Sequence, residues 1–254
     1  MANQIKSHSA RPKKVLRIVL LVLLATLVLC GGLAAVYVND YYRAEEIAVQ
    51  AMMAGDGIDI SRWEDGTIVF EPQIPTAGLI FCPGGKVEHT AYAPLMRACA
   101  QWGILCVLMK MPCNLAVLDV NVADGIAEQF PQVERWYIGG HSLGGAMAAS
   151  YASKHSDTLD GLVLLAAYST MNLTDTHLAV LSVYGSEDGV LNREQYEEYR
   201  GNLPENAEES ILQGGCHAYF GSYGAQDSDG IPTITNEKQV RWTADKIAEW
   251  ADRT

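Results

Sequence analysis

Residues 139–145 constrain this chain most, because they place a single serine, Ser142, between glycines directly after an apolar run. The run over residues 136–138 is typical of a buried strand, and the alanine-rich residues that follow Ser142 favour a helix packed closely against a sheet. A strand that turns sharply into a helix strains its apex residue, and glycines at 140 and 144 allow the close approach that this turn needs. The pattern predicts that Ser142 projects its hydroxyl from the edge of a sheet.

A nucleophilic serine at such a turn works with a carboxylate and then a histidine, each placed after a later strand. The apolar and β-branched run over residues 178–184 predicts a strand, and Asp188 follows it in a turn. Asp188 is therefore the candidate acid. Glu187 stands beside it as an alternative, and a solvated turn aspartate is the ordinary explanation.

The candidate base is His217, which follows a short predicted strand near Ile211. His89 comes before the serine in the chain, which is the wrong order for this arrangement. His141 is adjacent to the nucleophile, and we expect its side chain to point to the opposite side of the turn and to pack against or orient it. His217 is the remaining histidine that suits the role of base.

Acyl chemistry at Ser142 also needs two backbone N–H donors for the developing oxyanion. Leu143, directly after the nucleophile, supplies the first. The second should come from the turn after the predicted strand over residues 78–82, near Gly85 or Lys86, because two adjacent glycines let the backbone aim a donor inward. A flexible strand-to-helix loop is the alternative interpretation.

Five stretches together resemble the α/β-hydrolase superfamily, closest to its small capless members related to dienelactone hydrolases. They are residues 83–87, 92–95, 109–112, 140–145 and 217–224. The resemblance covers about Gly66 to Trp250. Cys216 departs from the subgroup, which more often has a small polar residue before the histidine; a thiol there would perturb His217 or make the site redox-sensitive. The substrate of dienelactone hydrolases does not carry over, because many of those enzymes use a cysteine nucleophile.

Strand and helix patterns alternate along the chain, which predicts an α/β fold: a mostly parallel central sheet with helices on both faces. Helices are expected over residues 92–102, 117–130, 193–201 and 237–250, besides the one after Ser142. Only residues 167–177 separate two of the strands at the point where many such hydrolases insert a cap, so no cap domain is expected. Three aromatic residues near the open mouth either bound a substrate pocket or simply pack: Tyr168, Tyr219 and Phe220.

The N-terminus carries five basic residues before Asp40, and residues 18–38 form an uncharged run of 21 residues. We expect residues 1–17 to be a basic cytoplasmic segment, 18–38 a transmembrane signal anchor, and 39–254 a hydrolase domain on the outer side of the cell membrane. A cleaved signal peptide, giving a secreted protein, is the main alternative. Lipidation at Cys30 is disfavoured by the bulky Leu29 before it.

With those five charges set aside, 13 basic and 30 acidic residues give the rest of the chain a net charge of −17. Nucleic acid and anionic surfaces are therefore poor partners. The six cysteines lack the spacing of a disulfide framework, although one disulfide is compatible with export. No metal-site or phosphate-loop spacing is present, so no cofactor or metal is expected. The oligomeric state has no sequence signal.

These residues predict a membrane-anchored serine hydrolase that cleaves a carboxylic ester, lactone or thioester, a small-molecule substrate, through an acyl-enzyme. Ser142 attacks, His217 accepts its proton, and Asp188 orients His217. Activity should fall below about neutral pH, because the base must be neutral. The alternatives are an acyltransferase with the same three residues and a catalytically inactive binding module on this fold.

Overall fold

The computed structural model describes residues 11–53 and 55–254, without the side chains of residues 11–13. The chain divides into an N-terminal unit that ends at Asp40 and a second unit, Tyr41–Thr254. Residues 1–10 of the predicted basic segment lie outside the described residues, as do the side chains of Arg11 and Lys13.

The N-terminal unit contains a single long helix, α1 (Arg11–Asn39). Its portion Lys14–Asn39 contains an 18-residue window with a mean hydropathy of 2.8 and is long and apolar enough to cross a membrane. A signal sequence at this end of the chain would meet the same criterion. The apolar helix expected over residues 18–38 is therefore present.

The second unit is built on one eight-stranded sheet in the order β1-β2-β4-β3-β5-β6-β7-β8. The strands are β1 (Ile58–Arg62), β2 (Ile68–Pro72), β3 (Ala77–Cys82), β4 (Ile104–Leu108), β5 (Trp136–His141), β6 (Gly161–Leu165), β7 (Ala179–Gly185) and β8 (Glu208–Leu212). Strands β3 to β8 pair in parallel, whereas β1 and β2 form an antiparallel edge. The mostly parallel sheet predicted from sequence is confirmed.

Helices cover both faces of the sheet: α2 (Glu46–Ala51), α3 (Ala93–Gln101), α4 (Leu143–Ala152), α5 (Arg193–Tyr199) and α6 (Asn236–Ala251). Alternate residues of each central strand point to opposite faces. Leu79 of β3 accordingly joins a core with α3 and α6, whereas Ile80 joins a core with α4. Strands buried on both faces read as largely apolar runs, which is why the sequence located β3, β5 and β7 well.

The helix expected over residues 117–130 was wrong. The segment forms only short 3₁₀ turns, Ala116–Leu118 and Ala127–Gln129, joined by hydrogen-bonded turns. Asp119 has an extended φ of −149°, and Gly125 has a φ of +73°, a left-handed conformation that ends a helix. Asn121, whose carbonyl accepts the N–H of Asp124, adds a further turn.

The connection between β6 and β7 consists of residues 166–178 and holds turns without an α-helix or strand. The sequence analysis expected no cap domain here, and this length is too short for one. The carboxyl edge of the parallel strands is therefore open above β5 and β6, which is where ligands bind in open α/β sheets.

Candidate active site

Ser142 lies at the apex of the turn between β5 and α4. Its backbone angles, φ 53° and ψ −122°, are in a region that residues with a Cβ rarely adopt. The strain is held from both sides, because the Ser142 N–H donates to the Leu165 carbonyl at 2.9 Å and its carbonyl accepts from Ala146 at 3.1 Å. The sheet and helix thus fix the serine at the carboxyl edge of β5, as the glycine pattern predicts.

His217 and Asp188 lie together on the loops after β8 and β7. His217 Nδ1 is 2.9 Å from Asp188 Oδ2, and both side chains are almost wholly buried. The other carboxylate oxygen, Oδ1, accepts the backbone N–H groups of Val190 and Leu191 at 2.9 and 2.8 Å. These bonds fix the carboxylate, and Nε2 of His217 has no hydrogen-bond partner among the described residues. The alternative acid, Glu187, instead accepts the Ser186 hydroxyl on the surface.

Asp229, which the sequence analysis missed, ties these two loops together. Its carboxylate accepts the N–H groups of His217 and Ala218 from one loop, at 3.1 and 2.8 Å, and that of Gly189 from the other, at 3.1 Å. Burial opposes ionisation, but the backbone donors outweigh it and hold the pKa of Asp229 below its ordinary value. The ionised Asp229 carboxylate therefore holds the loop that carries Asp188 and the loop that carries His217 together.

Gly85, in the loop after β3, and Leu143, at the start of α4, lie beside each other at the carboxyl edge of the sheet. A Cβ built on Gly85 would lie 2.9 Å from the Leu143 side chain, so the two residues are neighbours. Neither N–H group has an acceptor within the described part of the chain. The suggestion of Lys86 as an oxyanion donor was wrong, since its N–H donates to the Asn114 carbonyl at 2.8 Å. Of the two alternatives after β3, only Gly85 retains a donor.

A buried pair, Tyr92 and His141, supports the loop that carries Gly85. The Tyr92 hydroxyl accepts the Gly84 N–H at 3.1 Å and lies 2.7 Å from His141 Nδ1. Burial raises the pKa of Tyr92 and lowers that of His141, which nearby His217 lowers further. The hydroxyl keeps its proton and needs an acceptor, so the consistent arrangement has Tyr92 donating to Nδ1.

The His141 ring packs beside the base, with 4.4 Å between the centroids of His141 and His217. Two adjacent imidazoles cannot both carry charge without repulsion, and His141, fully buried, stays neutral. The expected role of orienting the turn remains consistent with the Tyr92 contact.

Substitution of Tyr92 by phenylalanine should weaken both folding and turnover. The change leaves the Gly84 N–H and His141 Nδ1 without partners, which costs about 1–3 kcal/mol in the free energy of unfolding. We expect kcat for an ester to fall about tenfold, because the loop that carries Gly85 loses its support. Urea unfolding and steady-state kinetics measure the two effects. Tyr137→Phe, which loses bonds to Ala251 and Thr254 at the far end of β5, is the control and should leave kcat unchanged.

The buried His141 also predicts acid sensitivity of the fold. Its folded-state pKa lies below the unfolded value of about 6.5, so only the unfolded chain gains a proton as the pH drops. The free energy of unfolding should therefore decrease below about pH 6.5, by up to about 1.4 kcal/mol per pH unit for this group. Denaturation at pH 7.0 and about 5.5 measures the slope. His141→Gln should flatten it; an equal flattening by exposed His177→Gln would contradict the assignment.

Ser142 and His217 open onto a cavity of about 360 Å³ beside α4. Most of the wall is apolar and includes Leu143, Met147 and Leu191. Such a volume falls in the range of small-molecule sites.

Of the three aromatic residues suggested for a pocket, only Tyr168 lines this cavity. The suggestion was wrong for Phe220, which is wholly buried and packs against His141 with ring centroids 5.6 Å apart. Tyr219 is also absent from the wall and packs, partly buried, against the core shared with α3 and α6. The simple packing alternative applies to both, because the short 3₁₀ turn Ala218–Phe220 directs them inward.

Cys216, the residue that departs from the family pattern, is buried and not reactive in character. Burial raises the pKa of its thiol to about 12, so the nucleophilic thiolate is scarce. All six cysteines are free, and the described residues include no group of three histidine, cysteine, aspartate or glutamate side chains arranged to hold a metal ion.

Comparison with known proteins assigns the chain to a family. A model described as the alpha/beta hydrolase family matches residues 78–241, which include every residue of the site above. This chain belongs to the alpha/beta hydrolase family. A search of curated proteins returns no match.

Solved structures of alpha/beta hydrolases share its fold at low sequence identity. A dienelactone hydrolase from Anabaena variabilis is 12% identical, with a TM-score of 0.56 over 76% of this chain and 97% of that chain. The carboxylesterase CesB from Bacillus subtilis is 11% identical, with a TM-score of 0.55 over 81% and 95%. A predicted CIB-like hydrolase from Thermoplasma acidophilum is 17% identical, with a TM-score of 0.53 over 76% and 100%.

Proposed function

We propose that this alpha/beta hydrolase is a serine hydrolase of the carboxylesterase type. Ser142 Oγ attacks the carbonyl carbon of a carboxylic ester, lactone or thioester, and His217 Nε2 takes the serine proton. The N–H groups of Gly85 and Leu143 stabilise the oxyanion. The protonated His217 then passes its proton to the leaving group, and a water activated by the same nitrogen releases the acid from Ser142.

The observation that carries this proposal is that the two ring nitrogens of His217 differ in their hydrogen bonding. Nδ1 is held by Asp188 Oδ2 at 2.9 Å, while Nε2 is left without a partner and His217 lines the same cavity as Ser142. Asp188 thereby keeps the proton on Nδ1 and leaves the lone pair on Nε2, which is the tautomer that a general base needs. The three residues also follow the chain order typical of this fold.

The proposed location follows from the N-terminal helix. We propose that residues 18–38 of α1 are a retained signal anchor, with residues 1–17 cytoplasmic and the hydrolase unit on the outer side of the cell membrane. The support is the 26-residue apolar stretch Lys14–Asn39, which exceeds the usual core of a cleaved signal peptide. Basic residues before an apolar span remain in the cytoplasm.

An activated-serine probe tests the proposed chemistry on the full chain in detergent. A fluorophosphonate should label the wild-type protein once, at Ser142, and the intact mass should show one adduct per chain. Ser142→Ala should remain unlabelled, while Ser61→Ala, a change on exposed edge strand β1, should label as the wild type does. A folded wild-type chain that takes up no probe would favour the binding-module alternative.

A further inference from the structure

We infer that the cavity beside Ser142 accepts an uncharged, apolar group of the substrate and discriminates against substrates that carry a carboxylate. This inference rests on the proposed function, since it concerns the ester that Ser142 would cleave. It narrows the substrate class beyond any ester or lactone.

The first argument is the chemistry of the cavity wall. Apart from His217, none of the described residues that line it has a side chain that carries charge near neutral pH, and most of the wall is hydrocarbon from α4 and from the loops after β6 and β7. A carboxylate moved from water into such surroundings loses its hydration and gains no counter-ion. An alkyl or aryl group gains free energy from the same transfer.

The second argument is that the polar side chains of the wall are already engaged or lie at its rim. The Tyr168 hydroxyl donates to Gln195 Oε1, and Asn192 Oδ1 accepts the Gln195 N–H at 3.1 Å as the cap of α5. Thr170 is exposed at the mouth. The N–H groups of Gly85 and Leu143 are reserved for the reacting carbonyl. The Asn192 amide and the Thr170 hydroxyl can still donate at the exposed rim, but both are uncharged, so a second anionic oxygen finds no counter-ion in the wall.

The third argument is the charge of the chain beyond its N-terminal segment. A net charge of −17 over residues 39–254 repels anions as they approach an open site. The repulsion slows the association of an anionic ester with the site. The apolar wall destabilises the bound anionic ester. Both effects favour a neutral ester over an otherwise identical anionic one.

Two matched pairs of esters test the inference on the full chain in detergent. The acyl pair is the p-nitrophenyl monoester of adipic acid and the ester in which an isopropyl group replaces its free carboxylate. The alcohol pair is p-carboxyphenyl acetate and p-acetylphenyl acetate. Each kcat/KM is divided by the rate of hydrolysis by hydroxide, which removes differences in intrinsic reactivity.

We expect the neutral member of at least one pair to be favoured by about tenfold or more, because one side of the ester occupies the cavity. Thr170→Arg, which adds a cation at the rim, should narrow that preference about threefold, and added salt should abolish the narrowing. Thr170→Gln introduces a long but uncharged side chain. It should leave the kcat/KM ratio of the neutral to the anionic ester near the wild-type value.

Two results would overturn the inference in distinguishable ways. If the fluorophosphonate labels Ser142 but neither pair is discriminated, the apolar-substrate inference fails and the serine hydrolase stands. If no ester is cleaved and a folded chain takes up no probe, the proposed function fails and the inference fails with it.

Discussion

Replacement of Ser142 by alanine should reduce kcat for any ester substrate by about 10⁴-fold or more. The hydroxyl is the atom that forms the acyl-enzyme, and no neighbouring side chain in the cavity wall replaces it, since the other lining hydroxyls belong to Tyr168 and Thr170 on a separate loop. The structure around the turn should persist, because the bonds that hold it run through the backbone of Ser142. Steady-state kinetics with p-nitrophenyl butyrate measure the loss, and circular dichroism checks the fold.

The same experiment distinguishes a cooperating pair from two independent residues. His217→Ala should lose nearly as much activity as Ser142→Ala, and the double variant should lose little more than either, because a serine without its base and a base without its serine are equally ineffective. Losses that multiply would argue against the proposed partnership. Ser61→Ala is the control for serine removal and should keep full activity.

Gly144→Ala should strongly destabilise the fold at the turn that carries Ser142. A Cβ at Gly144 would overlap the backbone carbonyl oxygens of Cys82 and Pro83, which belong to β3 and its following loop. Backbone atoms cannot rotate away as side chains do, so β3 and α4 must separate. We expect a loss of more than about 4 kcal/mol in the free energy of unfolding, or no folded protein.

Gly201→Ala is the matched control, since a Cβ there meets no atom within 4 Å. Urea denaturation of both variants, followed by tryptophan fluorescence, measures the difference. A Gly144→Ala variant with wild-type stability would mean that strand and helix do not approach as closely as described. A partly stable variant should still lose activity, because the same two elements hold Ser142 in its strained conformation.

The sequence predicted the central sheet well for a physical reason. Strands β3 to β7 are buried on both faces, so each is mainly an apolar run, and the glycines around Ser142 mark a turn that few other residues permit. Strand β1 escaped prediction because it is an edge strand whose residues 59–62 are mostly exposed and polar. The helix expected over residues 117–130 does not form, because apolar residues of this segment pack against the core from a series of short turns.

The residues of the candidate site likewise divide into those that the sequence predicted and those that it missed. Ser142 and Leu143 were identifiable because they follow β5 and open α4, and Asp188 because it lies in the turn after β7. The fold brings all three to one edge of the sheet with His217. The choice between Gly85 and Lys86 depended on a carbonyl from another loop, that of Asn114, which no local pattern reveals. Asp229 has a faint signal, a turn sequence with glycine directly after it, but its role depends on two distant loops.

The short connection between β6 and β7 has a kinetic consequence. In enzymes that close a mobile lid over the substrate, lid opening often limits the turnover rate. This connection does not form such a lid. Turnover should therefore track the intrinsic reactivity of the carbonyl and the departure of product. Where this short connection leaves the site accessible, bulk water competes with every other acceptor for the acyl group. We therefore expect hydrolysis to exceed transfer to added alcohols.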